Sequence, residues 1–426
     1  MDPFQSKQTN KAARQENVVK LFGEIWTELF TSPVHLDSAL SKRSRNTKSI
    51  LAQIVPQILL QPSSLAEALG VGIAEGEPWS LDQQKLVSWR PAYLMAEHLY
   101  GAMSQGRPDV DAVIEDFPAH MIQEWTDCWD KATARTLSRT LGSEAPLSLR
   151  ASTRMGAEKL LKELTAMSLP VKVQRSDLSP LGVRLSGYAP VLGTDLYQNG
   201  NFEIQDEGSQ VMALFALWPE LFEGLLQEKP GNVRPLPTLP ELPKNPPAWT
   251  VVDACAGAGG KSLAFADALK GKGRVYSYDT SERKLQALRR RATRAQVNNI
   301  QAVAVEEGQE NLVIDRFKKT AHVVLVDAPC SGWGVLRRNP DIKWRQSPDV
   351  LMRMPLIQYR LLSQYSELVQ AGGRLVFGVC TFREAETTAI VEKFLDAHPD
   401  FEKAKGGFVG PGPTDGFFMQ AFLRKK

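Results

Sequence analysis

At 426 residues and 43% hydrophobic content, the chain is long enough for two or three domains with real cores. Its formal charge of +3 is only mildly basic, which permits nucleic acid binding without demonstrating it. Cys128, Cys255, Cys330 and Cys380 form no CxxC knuckle and the five histidines are scattered, which argues against a metal site and a disulfide framework and for a reducing, cytoplasmic setting. No apolar run approaches the roughly 18 residues of a membrane span, and Met1–Gln8 lacks the apolar segment of a secretory leader.

Residues 1–140 read as a helical domain. Val18, Phe22, Ile25 and Leu29 recur at helical spacing, as do Leu51, Ile54, Val55 and Ile58, with a kink expected at Pro56. The run Lys42-Arg43-Ser44-Arg45-Asn46-Thr47-Lys48 is either a solvated loop or a phosphate-contacting patch. Trp79, Trp89, Trp125 and Trp129 are expected as core or interface anchors. Residues 141–200 change character. An apolar run at Leu147–Leu149, a helix over Gly156–Met167 and strands at Val171–Gln174 and Val183–Leu185 give a βαββ order, which predicts a small ferredoxin-like α+β module. Seven Lys/Arg against four acidic residues between 150 and 200 would suit an RNA-facing surface.

A domain over 201–426 contains a stretch, 227–247, with seven prolines that can form neither helix nor interior strand. Strict alternation follows. Strands are expected at Thr250–Asp253, Arg274–Tyr278, Gln301–Val305, Val323–Val326, Arg374–Val379 and Phe417–Leu423. Helices are expected at Lys261–Leu269, Ser281–Gln296, Val350–Val369 and Glu384–Ala397. That pattern predicts an α/β fold with a doubly wound, mostly parallel sheet.

Between the first strand and helix lies Asp253-Ala254-Cys255-Ala256-Gly257-Ala258-Gly259-Gly260-Lys261, small residues that let backbone approach a ligand at a helix N-terminus. Such a turn occurs in proteins that bind NAD, FAD or S-adenosylmethionine (SAM), and the spacing is not that of a P-loop. Asp279 ends the second strand, where an acid can accept hydrogen bonds from ribose hydroxyls; the plainer alternative is a helix N-cap. In the helix that follows, Leu285, Leu288, Ala292 and Ala295 form the buried stripe, and Arg283, Lys284, Arg290, Arg291 and Arg294 read as a solvated face.

Cys330 and Cys380 each follow a strand, where sheets of this kind bind ligands, so the two thiols can meet over one substrate. Carbon 5 of cytosine or uracil is a poor nucleophile. Addition of a thiolate at carbon 6 activates it toward a methyl donor, after which the carbon-5 proton and the thiolate must leave. One cysteine serves as nucleophile and a second can assist release, while Asp327 can hydrogen-bond the base edge. As packing groups, both would be small buried hydrophobes.

The run Asp327-Ala328-Pro329-Cys330-Ser331-Gly332-Trp333-Gly334-Val335-Leu336-Arg337-Arg338-Asn339-Pro340-Asp341-Ile342-Lys343-Trp344 closely resembles motif IV of the Nol/Nop/Sun family of RNA cytosine-5 methyltransferases, most of all its RsmB-type members. The Gly-rich turn resembles that family's Cys-Ala-Ala-Pro-Gly-Gly-Lys loop, Gln205-Asp206-Glu207-Gly208-Ser209-Gln210 its Gln-Asp-x-x-Ser-Gln segment, and Asp415-Gly416-Phe417-Phe418 its terminal strand. The resemblance covers roughly 145–426; before that it is to a helical region such as the NusB-like RNA-binding domain. It implies a SAM-dependent, Rossmann-like methyltransferase domain, with Cys380 as nucleophile, Cys330 as release cysteine and Asp327 contacting base and cofactor. It further implies that Cys255, Ala256, Gly257, Ala258, Gly259, Gly260 and Lys261 wrap the methionine end of SAM and that Asp279 binds its ribose. Ala258 stands in place of the family's proline, Val379 in place of threonine and Thr387 in place of asparagine. Glu306 or Glu307 takes the place of the aspartate after the third strand, with Glu306 the expected cofactor contact. The implied substrate is RNA, with 16S rRNA ahead of tRNA, acted on by a monomer without metal or membrane.

Rival readings explain less. A DNA cytosine-5 methyltransferase would use Pro329-Cys330 but need not supply Cys380. Amino-methyltransferases prefer an acid or amide followed by two prolines and an aromatic, and an NAD-dependent dehydrogenase leaves both thiols unexplained. A non-catalytic RNA-binding assembly factor would have kept the fold and lost turnover, and methyl transfer from labelled SAM separates it from an enzyme.

Overall fold

The alternation expected after residue 248 is present in the computed structural model of the chain, which describes residues 3–426 apart from 33–34, 75–76, 80, 103–112, 114–115, 232 and 234. The chain divides into two compact units, Met1–Glu144 with Val335–Ser347, and Ala145–Gly334 with Pro348–Lys426. The tail of the motif resembling motif IV, expected inside the 201–426 domain, therefore belongs to the helical unit.

In that unit the periodic residues do what their spacing requires. Phe22, Ile25, Trp26 and Leu29 of the helix Pro3–Thr31 and Leu51, Ile54, Val55 and Ile58 of the helix Arg45–Leu60 are buried in one core. Pro56 lies within the second helix. Trp344 enters the same core, with its ring 4.5 Å from Trp79, 5.7 Å from Trp26 and 5.8 Å from Phe30. Its indole N–H donates to Leu59 O at 2.8 Å, and Lys343 Nζ donates to Leu60 O and Asp116 O at 2.6 and 2.7 Å. The bonds to Leu59 and Leu60 answer carbonyls at the end of Arg45–Leu60, which a helix terminus leaves without intrahelical partners. Lys42 pairs with Glu28, and Arg43 with Glu24 and Glu28, so half of the basic run is spent on neighbouring acids.

In the second unit, β1 (Leu147–Ala151), β2 (Val173–Arg175), β3 (Gly182–Leu185) and β4 (Phe202–Ile204) form an antiparallel sheet in the order β2-β3-β1-β4. This is the ferredoxin-like order. The strand β4, too short to declare itself by periodicity, carries the module past residue 200. A second sheet takes the order β10-β11-β9-β8-β5-β6-β7. Its strands are β5 (Thr250–Asp253), β6 (Arg274–Asp279), β7 (Ile300–Ala304), β8 (Ala321–Asp327), β9 (Val369–Val379), β10 (Phe401–Val409) and β11 (Phe417–Arg424). The first five are mutually parallel; β11 and β10 run antiparallel at the edge. No strand is expected at β10, because Glu402, Lys403, Lys405, Gly406 and Gly407 dilute its apolar signal and a register shift interrupts it. No described helix is long and apolar enough to cross a membrane.

Candidate active site

The register of β8 against β9 sets Asp327 beside Gly378, so the chain continuing three residues past one and two past the other brings Cys330 and Cys380 to one place. Their sulfurs stand 3.3 Å apart. Backbone and side-chain bonds stitch the two loops together. Gly334 N donates to Cys380 O at 2.9 Å, Gly416 N donates to Gly334 O at 2.8 Å, and the Ser331 and Thr381 hydroxyls meet at 2.8 Å. A Cβ on Gly334 would fall 2.0 Å from Gly416 O, which explains glycine there. Glu386, fully buried, accepts from Ser331 N and Gln358 Nε2 at 2.8 Å each and from Arg383 at 3.1 Å. Gln358 also donates to Pro329 O at 2.9 Å. Nothing in the sequence marks Glu386 and Gln358, which reach the Cys330 loop across 55 and 29 residues, or Arg383, which acts on it through Glu386. The hydrogen bond with Cys380, together with burial, pushes the Cys330 thiol well above its ordinary value. At neutral pH Cys330 therefore keeps its proton.

Asp327 is joined to the Gly-rich turn by Lys261, whose Nζ lies 2.5 Å from Asp327 Oδ2. Burial disfavours the ammonium, yet the charge and hydrogen bond of Asp327, with Asp253, hold Lys261 above its usual value. Lys261 thus presents its charge to Asp327. Behind it, burial pushes the Asp253 carboxyl up to about 7 against the opposing bond from Ser262, which donates at 2.6 Å. The turn bends at Gly257 (φ +56°) and Gly259 (φ +86°), and a Cβ on Gly259 would strike Leu288 Cδ1 at 2.1 Å. Asp279 is not the cap of the following helix; Ser281 is. Instead Asp279 Oδ2 accepts from Gly257 N and Oδ1 from Ser281 N, each at 2.8 Å.

A cavity of about 320 Å³ opens over these strand ends. Cys255, Gly257, Asp279 and Asp327 line it; Ala256, Ala258, Gly259, Gly260 and Lys261 shape the turn beside it. Glu306 does not line it. Its carboxylate faces outward to Gln309 at 3.0 Å, and Glu307 and Glu310 form that wall, because the bend after β7 turns Glu306 away. Glu310 has a side chain only 5% exposed; Oε1 accepts from Arg360 at 3.1 Å, and Oε2 has no hydrogen-bond partner among the described residues. A buried acceptor left unused costs about 1–3 kcal/mol, so a ligand bearing a donor fits this wall. Acids at Asp279 and Glu310, apolar Val305 and Leu361 and an exposed backbone turn suit a nucleoside whose ribose and base both carry donors. Cys255 also lines the cavity, but burial first, then Asp327 and Asp253, push its thiol far above the ordinary value, which makes it an inert wall group.

Residues 243–415 match the family model for 16S rRNA methyltransferase RsmB/F. A probable ribosomal RNA small subunit methyltransferase B of Bacillus subtilis (strain 168) is 33% identical over 315 residues, which make up 70% of this chain and 62% of that protein. The ribosomal RNA small subunit methyltransferase B of Thermus thermophilus is 36% identical over 194 residues, 42% of this chain and 46% of that one. The chain thus spans about three fifths of the Bacillus relative and about half of the Thermus one. Among solved structures, PH0851 aligns with a TM-score of 0.67 at 20% identity, covering 96% of this chain and 99% of that one. NSun6 from Pyrococcus horikoshii aligns at 0.59 and 17% identity, covering 73% and 99%. These likenesses establish the fold.

Proposed function

From the premise that the chain belongs, through residues 243–415, to the RsmB/F methyltransferase family, we propose that it methylates carbon 5 of a cytosine in RNA, with SAM as cofactor and 16S rRNA as the substrate. The observation that carries the reading is the pair of sulfurs 3.3 Å apart, on loops of which one also contributes Asp327 and Pro329 to a cavity suited to a nucleoside. SAM would supply an electrophilic methyl group. The chain's own residues do the rest. Cys380 adds as thiolate to carbon 6 and makes carbon 5 nucleophilic. Cys330, kept protonated by burial and its neighbour, is unsuited to the attack and is placed to hydrogen-bond the Cys380 sulfur as it leaves, while the carbon-5 proton passes to water. Asp327, held by Lys261, hydrogen-bonds the base edge and steadies the charge that develops on the ring. Asp279, Cys255 and Gly257 bind the cofactor's ribose and methionine end, and Glu310 takes the place that the sequence reading gave to Glu306.

The 16S preference rests on the names of the relatives, and a tRNA substrate is its competitor. The pairing of Lys42 and Arg43 with acids favours a structural role for that part of the basic run, so RNA contact by the helical unit would use other cations. Incubation with labelled SAM and bulk RNA should transfer label to small-subunit rRNA, and bisulfite sequencing of RNA from cells lacking the gene should show one lost 5-methylcytosine there. Loss in a tRNA would replace the substrate; no transfer to any RNA would return the chain to the assembly-factor reading.

A further inference from the structure

Arg291, on the helix Glu282–Ala295, reads in the sequence as part of a solvated face. In the fold its guanidinium is committed. Nη1 donates to Ala258 O at 2.6 Å, while Nε and Nη2 meet Glu203 Oε2 at 3.1 and 3.0 Å. Glu203, on β4, is 4% exposed and is also paired with Arg294. Arg294 in turn lies 3.8 Å from the centroid of the Tyr197 ring and donates to its hydroxyl at 2.5 Å. Two guanidinium groups thus grip one buried carboxylate. The grip locks Arg291 in place and leaves one nitrogen directed at the turn that walls the cavity.

That turn needs an external hold. Ala256-Gly257-Ala258-Gly259-Gly260 contains three glycines and two alanines, small residues with much backbone freedom to lose. Gly257 sits at φ +56° with nothing within 4 Å of an added Cβ, so no packing on that side keeps it there. The family's Cys-Ala-Ala-Pro-Gly-Gly-Lys loop has a proline whose ring fixes φ where this chain has Ala258. Beside the backbone bonds from Ala256 N to Tyr278 O and from Gly259 N to Ala256 O, two side-chain bonds take over: Asp279 Oδ2 accepts from Gly257 N, and Arg291 donates to Ala258 O.

We propose that Arg291 is a positioning residue for the cofactor turn, supplying through the Ala258 carbonyl the rigidity that the missing proline would have given. Arg291 stands behind the turn, outside the cavity wall, and acts on ligand affinity only through the backbone it holds. The inference rests on the proposed SAM site. A charged hydrogen bond of this kind controls an equilibrium by roughly tenfold or somewhat more.

Calorimetric titration of the whole chain with S-adenosylhomocysteine tests it. Arg291→Met should weaken binding about tenfold and raise the KM for SAM, with kcat at saturating SAM within about twofold of the starting protein. Backbone amides of residues 255–260 should exchange faster. Ala258 is not among the residues of positive φ, its N–H donates no backbone hydrogen bond among the described residues, and the family's loop carries proline at this place, so Arg291→Met with Ala258→Pro should regain most of the lost affinity. A merely structural arginine would give no such rescue. Should Arg291→Met not fold, Arg291→Lys, with a single ammonium in place of a fork, serves in the same comparison. Affinity within about twofold in the single variant, or a loss that the proline leaves untouched, overturns the proposal. Failure of the starting protein to bind S-adenosylhomocysteine would instead overturn the cofactor reading itself, and this inference with it.

Discussion

One continuous run, Asp327 to Trp344, divides into two regions with different work. Asp327–Gly334 belongs to the sheet-bearing unit, where its loop sets Cys330 against Cys380 and hands Asp327 to Lys261. Val335–Trp344 belongs to the helical unit, where Asp341, Lys343 and Trp344 are buried among helix ends and aromatic rings. Asp341 accepts from His35 at 3.0 Å and Arg345 at 3.4 Å. The most distinctive part of the motif, Arg-Arg-x-Pro-Asp-Ile-Lys-Trp, is thus engaged in packing, and the shorter, plainer part holds the residues of the proposed chemistry. A motif can be specific because a packed core tolerates little change, without those side chains touching a substrate.

The comparison breaks most visibly at Cys380. Cys380→Ala should lower methyl transfer by several powers of ten while S-adenosylhomocysteine binding stays within about twofold. Turnover close to that of the starting protein would move the nucleophile to Cys330.

Trp344→Ala, at the far end of the same run from Asp327, should behave oppositely. Removing a core indole that touches Trp26, Phe30 and Trp79 should cost about 3–5 kcal/mol of stability in the helical unit and leave cofactor affinity unmoved. Denaturant unfolding with a separate cofactor titration reads both; unchanged stability would deny the tail its packing role.

A smaller effect sharpens the same division. Burial, opposed by Asp116, lowers Lys343 to about 7 from the usual 10.5. Between those values the unfolded chain holds a proton that the folded chain lacks, so this group makes stability rise with pH, by up to about 1.4 kcal/mol per unit, and its penalty is complete below about 7. Lys343→Met removes the titrating group and should flatten the rise in melting temperature between pH 7 and pH 9. An equal rise in the variant would mean that Lys343 does not titrate in that window.

Much of this could be read before folding. The five parallel strands followed from apolar runs separated by helical periodicity, and the meeting of the two thiols followed from their places at strand exits. What escaped was of three kinds. The strand β10 is an edge strand with charges and glycines where apolar residues would have marked it. Glu306 and Glu310 differ only in which way a bend aims them, and nothing in an acidic run encodes that; only the buried, unpartnered oxygen of Glu310 separates them. Arg291 and Arg294 sat off the apolar stripe of their helix and so read as solvated, because the carboxylate that holds them, Glu203, comes from a strand 88 residues before Arg291.

The central claim is that two sulfurs share one base, Cys380 adding and Cys330 releasing. Cys330→Ala incubated with SAM and its RNA, then run on a denaturing gel, tests this most directly. The account predicts a covalent protein–RNA adduct that accumulates in Cys330→Ala and is absent from the Cys330→Ala, Cys380→Ala double variant. An adduct that persists without Cys380 would contradict it.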